Sequence, residues 1–412
     1  MRKIGAPLGG FVGAIIIQYR YDACRTATRV YFVPRRLRTV TPLTNAMPLQ
    51  HIDPAAYPTQ LSAKIAQFKQ DFAPLGLPEP SVFPSAPLHY RLRAEFRIYH
   101  SGERVDYAMF LPAEPKRPVV IDAFPVADPT ICAAMPRLRD RLQASAVLRK
   151  KLFQADFLAT LGGELLITLI YHHRLDAEWE AAAHALAAEL EVPLIGRSRQ
   201  QKIVIGRDWV EETIELGGRT LHYRQIEGSF TQPNGGTNRH MLAWACDQSS
   251  GIGGDLLELY CGNGNFTVAL APLFERVLAT EIAKSSVDTA RHNLAANRIG
   301  NVALVRMSSD EISAALARTE VFQRMRDIDL DQYRFSTIFV DPPRSGLDAA
   351  TVELARGFDR ILYISCNPTT LHANVTALLS THEIAAAAAF DQFPYTHHLE
   401  CGLLLKRRDN PA

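Results

Sequence analysis

From about residue 238 onward, short apolar runs alternate with amphipathic segments in a regular strand–helix order. We expect strands at 255–260, 276–280, 302–306, 336–340 and 361–364. Repeated β-α units of this kind predict an α/β fold with a doubly wound, Rossmann-like parallel sheet. Ligands of such sheets bind just outside the carboxyl ends of the strands. The residues that follow each strand are therefore the first candidates for function.

A glycine turn follows the first of these strands. Gly262 and Gly264 allow a tight turn and a close approach of a ligand to the backbone. The third glycine of the dinucleotide fingerprint is absent, since position 267 is Thr. Glu281 ends the next strand, where a carboxylate can bind ribose hydroxyls, although a solvated helix cap would look the same. The pattern favours a nucleoside-containing cofactor, and S-adenosylmethionine fits it better than NAD.

The strand at 336–340 ends at Asp341-Pro342-Pro343-Arg344. This motif is similar to the Asp/Asn-Pro-Pro-aromatic signature of methyltransferases that act on exocyclic amines. Here Arg344 replaces the aromatic residue, and a guanidinium can pair with a phosphate or polarise a carbonyl instead. The alternative is a proline turn capped by an aspartate.

Cys366 follows the last predicted strand, within Ser365-Cys366-Asn367-Pro368. A thiol at that edge would face a bound substrate, although a lone cysteine is more often a small apolar filler. Glu400 lies at the start of a further apolar strand. A carboxylate in such surroundings is either paired or has a raised pKa, which suits a general base.

The N-terminal half has interspersed strands and helices and predicts an α+β region. Residues 90–98 alternate strictly, with Arg97 among the cations on one face, which predicts a half-buried strand. We expect a helix over 133–161, which places three cations beside Phe153, and a strand over 165–171 that ends at His172. Basic residues interleaved with rings suit RNA, whose exposed bases stack on aromatics, while the alternative is a solvated face.

Residues 1–46 differ from the rest of the chain. They carry eight Lys or Arg residues against one Asp, a charge of +7, so that the total of +2 leaves −5 for the remainder. We expect this basic extension to be dispensable and either disordered or not native. We divide the rest into an RNA-binding half (47–228) and a methyltransferase domain (229–412).

The six cysteines are scattered and form no Cys-x-x-Cys pair. This distribution argues against a zinc site, a disulfide scaffold or a clustered iron–sulfur site, and it favours a reducing cytoplasm. No stretch is long and apolar enough to cross a bilayer. We therefore expect a soluble cytoplasmic protein with no metal and no membrane partner.

Five motifs together resemble the RNA uracil-5-methyltransferase family, and within it the enzymes that make ribothymidine at position 54 of the tRNA T loop. They are SFTQPN (229–234), LELYCGNGNF (257–266), DPPRSGLD (341–348), ISCNP (364–368) and HHLECG (397–402). The match runs from about residue 47 to 406. The ribosomal-RNA members carry a four-cysteine iron–sulfur cluster in their N-terminal half, whereas this chain has only Cys24 and Cys132 there. The resemblance therefore implies tRNA, with its T arm or a tRNA-like RNA as partner. We expect a monomer, because no apolar surface stripe is left over.

The resemblance also implies a role for each residue of the motifs. In catalysis, Cys366 would attack C6 of uracil, Glu400 would remove the C5 proton, and Asp341 and Arg344 would orient the pyrimidine. The implied contacts to S-adenosylmethionine are Gln232, Tyr260, Gly262, Asn265, Glu281 and Asp341. The implied RNA contacts are Arg97, Phe153 and His172.

Three other functions stay open at this point. A ribosomal-RNA uracil-5-methyltransferase would share most of the motifs. A methyltransferase of exocyclic amines would need neither Cys366 nor Glu400. A chaperone that only unfolds and refolds tRNA would tolerate the loss of Cys366 and would transfer no methyl group.

Overall fold

The computed structural model describes residues 51–111 and 114–409. The predicted extension at 1–46 lies outside the described residues. In chain order the helices are α1 (Tyr57–Phe72), α2 (Pro129–Ala144), α3 (Ala146–Arg149), α4 (Ala177–Leu190), α5 (Gly235–Ser249), α6 (Asn265–Leu270), α7 (Lys284–Ala296), α8 (Ser309–Leu316), α9 (Ala349–Ala355) and α10 (Pro368–Leu378).

The strands form two large sheets and one hairpin. In chain order they are β1 (Ser81–Phe83), β2 (Arg93–Ser101), β3 (Arg104–Leu111), β4 (Glu114–Val120), β5 (Leu152–Ala159), β6 (Leu165–Tyr171), β7 (Leu194–Ser198), β8 (Gln201–Ile205), β9 (Trp209–Leu216), β10 (Arg219–Ile226), β11 (Asp255–Leu259), β12 (Val277–Glu281), β13 (Val302–Arg306), β14 (Phe335–Val340), β15 (Arg360–Ser365), β16 (His382–Phe390) and β17 (Glu400–Arg407).

The first sheet has the order β4-β3-β2-β5-β6-β7-β8 and is antiparallel except between β6 and β7. Helix α4 makes the crossover that the parallel pair requires. One core lies between this sheet and α2 and α4, and it includes Phe96, Phe157 and Trp179. The sheet is thus covered by helices on one face.

The expected helix over 133–161 is wrong beyond residue 149. Helix α2 ends at Ala144, α3 is one turn long, and β5 begins at Leu152. Lys151 takes a left-handed backbone conformation (φ 49°) that ends the helical path. The segment Leu152–Ala159 contains good helix formers, but pairing with β2 and β6 and burial of Ala155 and Phe157 outweigh that propensity.

The second sheet has the order β1-β16-β17-β15-β14-β11-β12-β13. Strands β11 to β15 form the expected parallel, doubly wound core. Strand β17 is antiparallel to both β15 and β16, so the sheet is mixed. The prediction of an all-parallel sheet is therefore wrong. Strand β17 follows β16 through a loop, with no helix between them, so it must run back along its neighbour.

Residues 57–83 join the second sheet, although they lie within the expected RNA-binding half. Helix α1 buries Ile65, Phe68 and Phe72 in the core of that sheet, and β1 pairs with β16. The apolar stripe of α1 drives this packing, because a helix of this kind must bury its stripe against another element. None of the helices in the described part of the chain is long and apolar enough to cross a membrane.

Candidate active site

The ends of the strands bring five of the predicted residues into one row. Leu259 is paired with Thr280 and with Val340, Val340 with Tyr363, and Ser365 with Cys401. The residues that follow these positions at the carboxyl edge are, in spatial order, Glu281, Tyr260, Asp341 and Cys366, and Glu400 begins the antiparallel strand beside them. Strand spacing makes this row roughly 20 Å long. The order of the sheet reverses between β11 and β14, the position where open α/β sheets bind ligands.

The Cys366 thiol lies close enough to the Glu400 and Asp341 carboxylates and to the Arg344 guanidinium to interact with them electrostatically. Glu400 is buried and Cys366 is half-buried. Burial and the neighbouring Glu400 and Asp341 carboxylates raise the pKa of Cys366 to about 12, while Arg344 acts in the opposite direction. Burial, assisted by Asp341, raises the pKa of Glu400 to about 8, and burial raises that of Asp341 to about 7. The thiol is therefore least acidic when both carboxylates are ionised.

Arg344 is held near the thiol by its backbone. Its carbonyl oxygen accepts hydrogen bonds from Asn367 Nδ2 at 2.8 Å and from Thr370 Oγ1 at 3.2 Å. Gly346 has φ 75°, and a Cβ there would lie 2.7 Å from Asn374 Oδ1. The loop after β14 is thus packed on α10, which itself starts directly after Cys366-Asn367.

The glycine turn has space above it. Gly262 has φ 56°, and a Cβ built there would meet no atom within 4 Å. Its N–H donates to Glu281 Oε2 at 3.1 Å, while Glu281 Oε1 accepts from Ala283 N at 2.7 Å. Tyr260 is a non-glycine residue at φ 60°, a costly conformation of the kind that clusters at ligand sites.

Asn265 directly follows the glycine turn, and Gln232 lies shortly before α5. The amides of Asn265 and Asn238 exchange two hydrogen bonds of 2.9 Å. Gln232 Oε1 accepts a hydrogen bond of 2.6 Å from Gln392 Nε2. Asn234, two residues further on, caps α5 through Thr237 N. Asn265 is therefore fixed against α5, and Gln232 is fixed against the segment that follows β16.

Two buried polar side chains of this region were not found from the sequence. Glu258, in the middle of β11, is fully buried, and Thr267 lies near its carboxyl group. Burial raises the pKa of Glu258 to about 8, with a further contribution from Asp341. The signal for it was an acidic residue inside the apolar run Leu256–Leu259. Gln392 had no signal in the sequence.

The three predicted RNA-binding residues lie on the first sheet, in a separate stack. The Arg97 guanidinium lies 3.8 Å from the centre of the Phe153 ring, and the rings of Phe153 and His172 are 4.0 Å apart and tilted by 26°. Both partners approach the centre of one ring, so they cover opposite faces of Phe153. His172 is exposed at the outer end of the stack.

A family model described as tRNA (Uracil-5-)-methyltransferase matches residues 56–408. The chain belongs to the tRNA (uracil-5-)-methyltransferase family. A tRNA/tmRNA (uracil-C(5))-methyltransferase of Aromatoleum aromaticum is 73% identical over 365 residues, which cover 89% of this chain and 99% of that protein. One of Pseudomonas syringae pv. syringae is 54% identical over 356 residues, covering 86% and 99%.

A solved structure shares the fold. The Pyrococcus abyssi tRNA (uracil-54, C5)-methyltransferase, in complex with S-adenosyl-L-homocysteine, superposes with a TM-score of 0.66 at 22% identity. The alignment covers 90% of this chain and 88% of that one. The predicted fold class, a Rossmann-like methyltransferase domain with a further α+β region, is confirmed by this likeness.

The charges around Cys366 lead to a testable prediction about the pKa of its thiol. Replacement of Glu400 by Gln removes a charge that raises the pKa of Cys366, so the pKa of the thiol falls. Each unit of that fall gives about tenfold more thiolate at a fixed pH well below the pKa. At pH 9, iodoacetamide should alkylate Cys366 several-fold faster in Glu400→Gln than in the wild type, as followed by peptide mass spectrometry.

The matched control for this measurement is Glu383→Gln, which makes the same change at an exposed position of β16. It should leave the alkylation rate of Cys366 unchanged. Equal alkylation rates of Cys366 in the wild type and in Glu400→Gln would show that the charge on Glu400 does not affect the pKa of the thiol.

Proposed function

We propose that this chain transfers a methyl group from S-adenosylmethionine to C5 of the T-loop uridine at position 54 of tRNA, through a covalent Cys366 adduct. The row of residues along one sheet edge supports the proposal, because a glycine turn suited to a cofactor, a thiol and a carboxyl all lie at that edge. The row consists of Glu281, Tyr260, Asp341, Cys366 and Glu400. The relatives' names support tRNA, and they also support tmRNA as a second, tRNA-like substrate.

The residues around the glycine turn fit S-adenosylmethionine. The open space above Gly262 admits a ligand close to the backbone, and the Glu281 carboxylate lies beside it to accept from ribose hydroxyls. Gln232, Tyr260, Asn265 and Asp341 would complete the contacts. When bound, the cofactor supplies an electrophilic methyl group on sulfur.

The steps that involve Cys366, Arg344 and Glu400 follow from the chemistry of uracil. C5 of uracil is a weak nucleophile, and addition of the Cys366 thiolate to C6 turns the ring into an enolate whose C5 is nucleophilic. Arg344 lies where it can stabilise negative charge on the thiolate and on the ring oxygen. After C5 has taken the methyl group, the Glu400 carboxylate removes the C5 proton. The electrons of that C–H bond re-form C5=C6 and expel the thiolate.

We further propose that the two sheets have different functions. The first sheet would bind the T arm, and the second would bind the cofactor and the extruded base. Flipping that base out of the folded loop costs roughly a few kcal/mol, which the RNA contacts must repay. The enzyme would work as a cytoplasmic monomer without a metal.

The substrate is tested with tRNA transcripts and a radiolabelled methyl donor. We expect one 5-methyluridine per tRNA at position 54, mapped by nuclease digestion, and no label in a transcript with cytidine at that position. A T-arm hairpin should compete, whereas a ribosomal-RNA fragment without a T-like loop should not. Methylation of the ribosomal fragment in preference to tRNA would favour the ribosomal alternative.

Truncation of the side chains in the Arg97–Phe153–His172 stack should weaken the binding of tRNA. Base stacking on an aromatic side chain contributes ~1–3 kcal/mol per base. His172→Ala should therefore raise the Kd for tRNA by about 10-fold or more. Phe153→Ala should have a similar effect, because Phe153 holds His172 in place, and the double variant should add little.

Binding is measured by fluorescence anisotropy at a fixed salt concentration, since phosphate contacts make the Kd salt-dependent. His222→Ala serves as the matched control, because it removes an exposed histidine from β10. Unchanged tRNA affinity in His172→Ala and Phe153→Ala would remove the stack from the RNA interface.

A further inference from the structure

A short segment between β16 and the strand that begins with Glu400 is anchored on several sides. Asp391 N donates to Phe83 O of β1 at 3.1 Å. Lys64 of α1 donates to Asp391 Oδ1 at 2.6 Å and to Phe393 O at 2.9 Å. The Lys64 and Asp391 side chains are 7% and 0% exposed, so this ion pair is buried. Breaking a buried ion pair costs several kilocalories of stability, so residues 391–393 are held in a fixed position.

Gln392 lies in the middle of this segment and contacts Gln232. It is fully buried, and its Nε2 donates to Gln232 Oε1 at 2.6 Å. Its own carbonyl accepts from Asn234 Nδ2 at 3.4 Å, and Thr237 Oγ1 donates to Asp391 O at 3.4 Å. Both the backbone and the side chain of Gln392 are therefore fixed against the segment that carries Gln232.

We propose that Gln392 is a positioning residue that sets the orientation of the Gln232 amide and thereby the affinity for S-adenosylmethionine. An amide side chain offers an acceptor at one end and two donors at the other. The acceptor of Gln232 is occupied by Gln392, and of the described residues none accepts from Gln232 Nε2. Gln232 thus turns donors toward the site, where they suit an oxygen of the ligand such as its carboxylate. The inference rests on the proposed function, in which Gln232 contacts the cofactor.

The central experiment is a double-variant cycle on cofactor binding in the absence of RNA. S-adenosylhomocysteine binding is measured by calorimetry for the wild type, Gln392→Met, Gln232→Ala and the double variant. Gln392→Met should raise the Kd about 10-fold, the effect of one lost hydrogen bond. In the Gln232→Ala background the same change should have no further effect, because Gln392 acts through Gln232.

Steady-state kinetics separate positioning from a general loss of structure. Gln392→Met should raise KM for S-adenosylmethionine about 10-fold while kcat at saturating cofactor stays within about twofold. The matched control is Gln60→Met, since Gln60 Oε1 accepts from Tyr395 N at 2.6 Å on the same segment and does not touch Gln232. It should leave the Kd for S-adenosylhomocysteine unchanged.

A second variant covers the case that Gln392→Met does not fold. Gln392→Glu keeps the shape, and a protonated carboxyl can still donate to Gln232 Oε1, whereas an ionised one cannot. Its affinity for S-adenosylhomocysteine should approach that of the wild type at pH 6 and fall relative to it at pH 9.

Additive effects in the cycle, or a Kd that no Gln392 variant changes, would overturn the inference. The wild-type isotherm keeps this result distinct from the proposed function. A wild-type protein that binds S-adenosylhomocysteine but does not methylate tRNA would contradict that function alone.

Discussion

Cys366→Ala should lose methyl transfer to tRNA by at least ~10⁴-fold, because the uracil ring then has no route to a nucleophilic C5. The side chain lies outside the cofactor turn, so S-adenosylhomocysteine should bind the variant with wild-type affinity. Binding of tRNA should persist as well, since the Arg97–Phe153–His172 stack is on the other sheet. The measurement is single-turnover transfer of labelled methyl to tRNA.

Cys246→Ala is the matched control for this loss. Cys246 is also half-buried, but it lies on α5, where its thiol contacts Ala269 O at 3.6 Å. The control should keep wild-type turnover. Full activity in Cys366→Ala would remove the covalent mechanism and would favour direct methylation of an exocyclic amine.

Glu400→Gln should stop the reaction after methyl transfer. Without a base for the C5 proton the thiolate cannot be expelled, so protein and methylated RNA remain joined. Turnover should fall by about 10²–10⁴-fold, the usual contribution of a general base. The same variant should accumulate a protein–RNA band on a denaturing gel that contains the labelled methyl group.

His398 is the rival for this role, and its variant distinguishes the two. Burial, His397 and Arg344 lower the pKa of His398 to about 4, so its ring is neutral at neutral pH but is a weak base. The rings of His397 and His398 are 4.1 Å apart. If His398→Gln accumulates the adduct while Glu400→Gln turns over normally, the base is His398 and not Glu400.

The row of residues at the carboxyl edge was largely predictable because most of its members follow strands of one sheet. Tyr260, Asp341 and Cys366 each come directly after an apolar run, and the carboxyl ends of parallel strands meet at one edge. Glu400 was singled out as a carboxylate at the start of an apolar strand, and its place beside Cys366 was implied by the family's motif. Its strand is antiparallel, so Glu400 reaches the same edge from the opposite chain direction, which no local pattern indicates.

Contacts between residues that are far apart in the chain could not be predicted from the sequence. The stack of Arg97, Phe153 and His172 depends on the pairing of β2, β5 and β6, and Phe153 was placed in a helix because its neighbours favour one. Gln392 touches Gln232 across 160 positions of the chain. Such a pair follows from tertiary packing, which overrides local propensity and leaves no periodicity to read.

The most direct test of the central claim uses tRNA that contains 5-fluorouridine at position 54, mixed with the protein and S-adenosylmethionine. Fluorine at C5 cannot leave as a proton, so the adduct with Cys366 cannot resolve. We predict a stoichiometric protein–RNA complex that survives denaturation, carries the methyl group, and is absent with Cys366→Ala. Binding of this tRNA without any trapped complex would contradict the covalent mechanism.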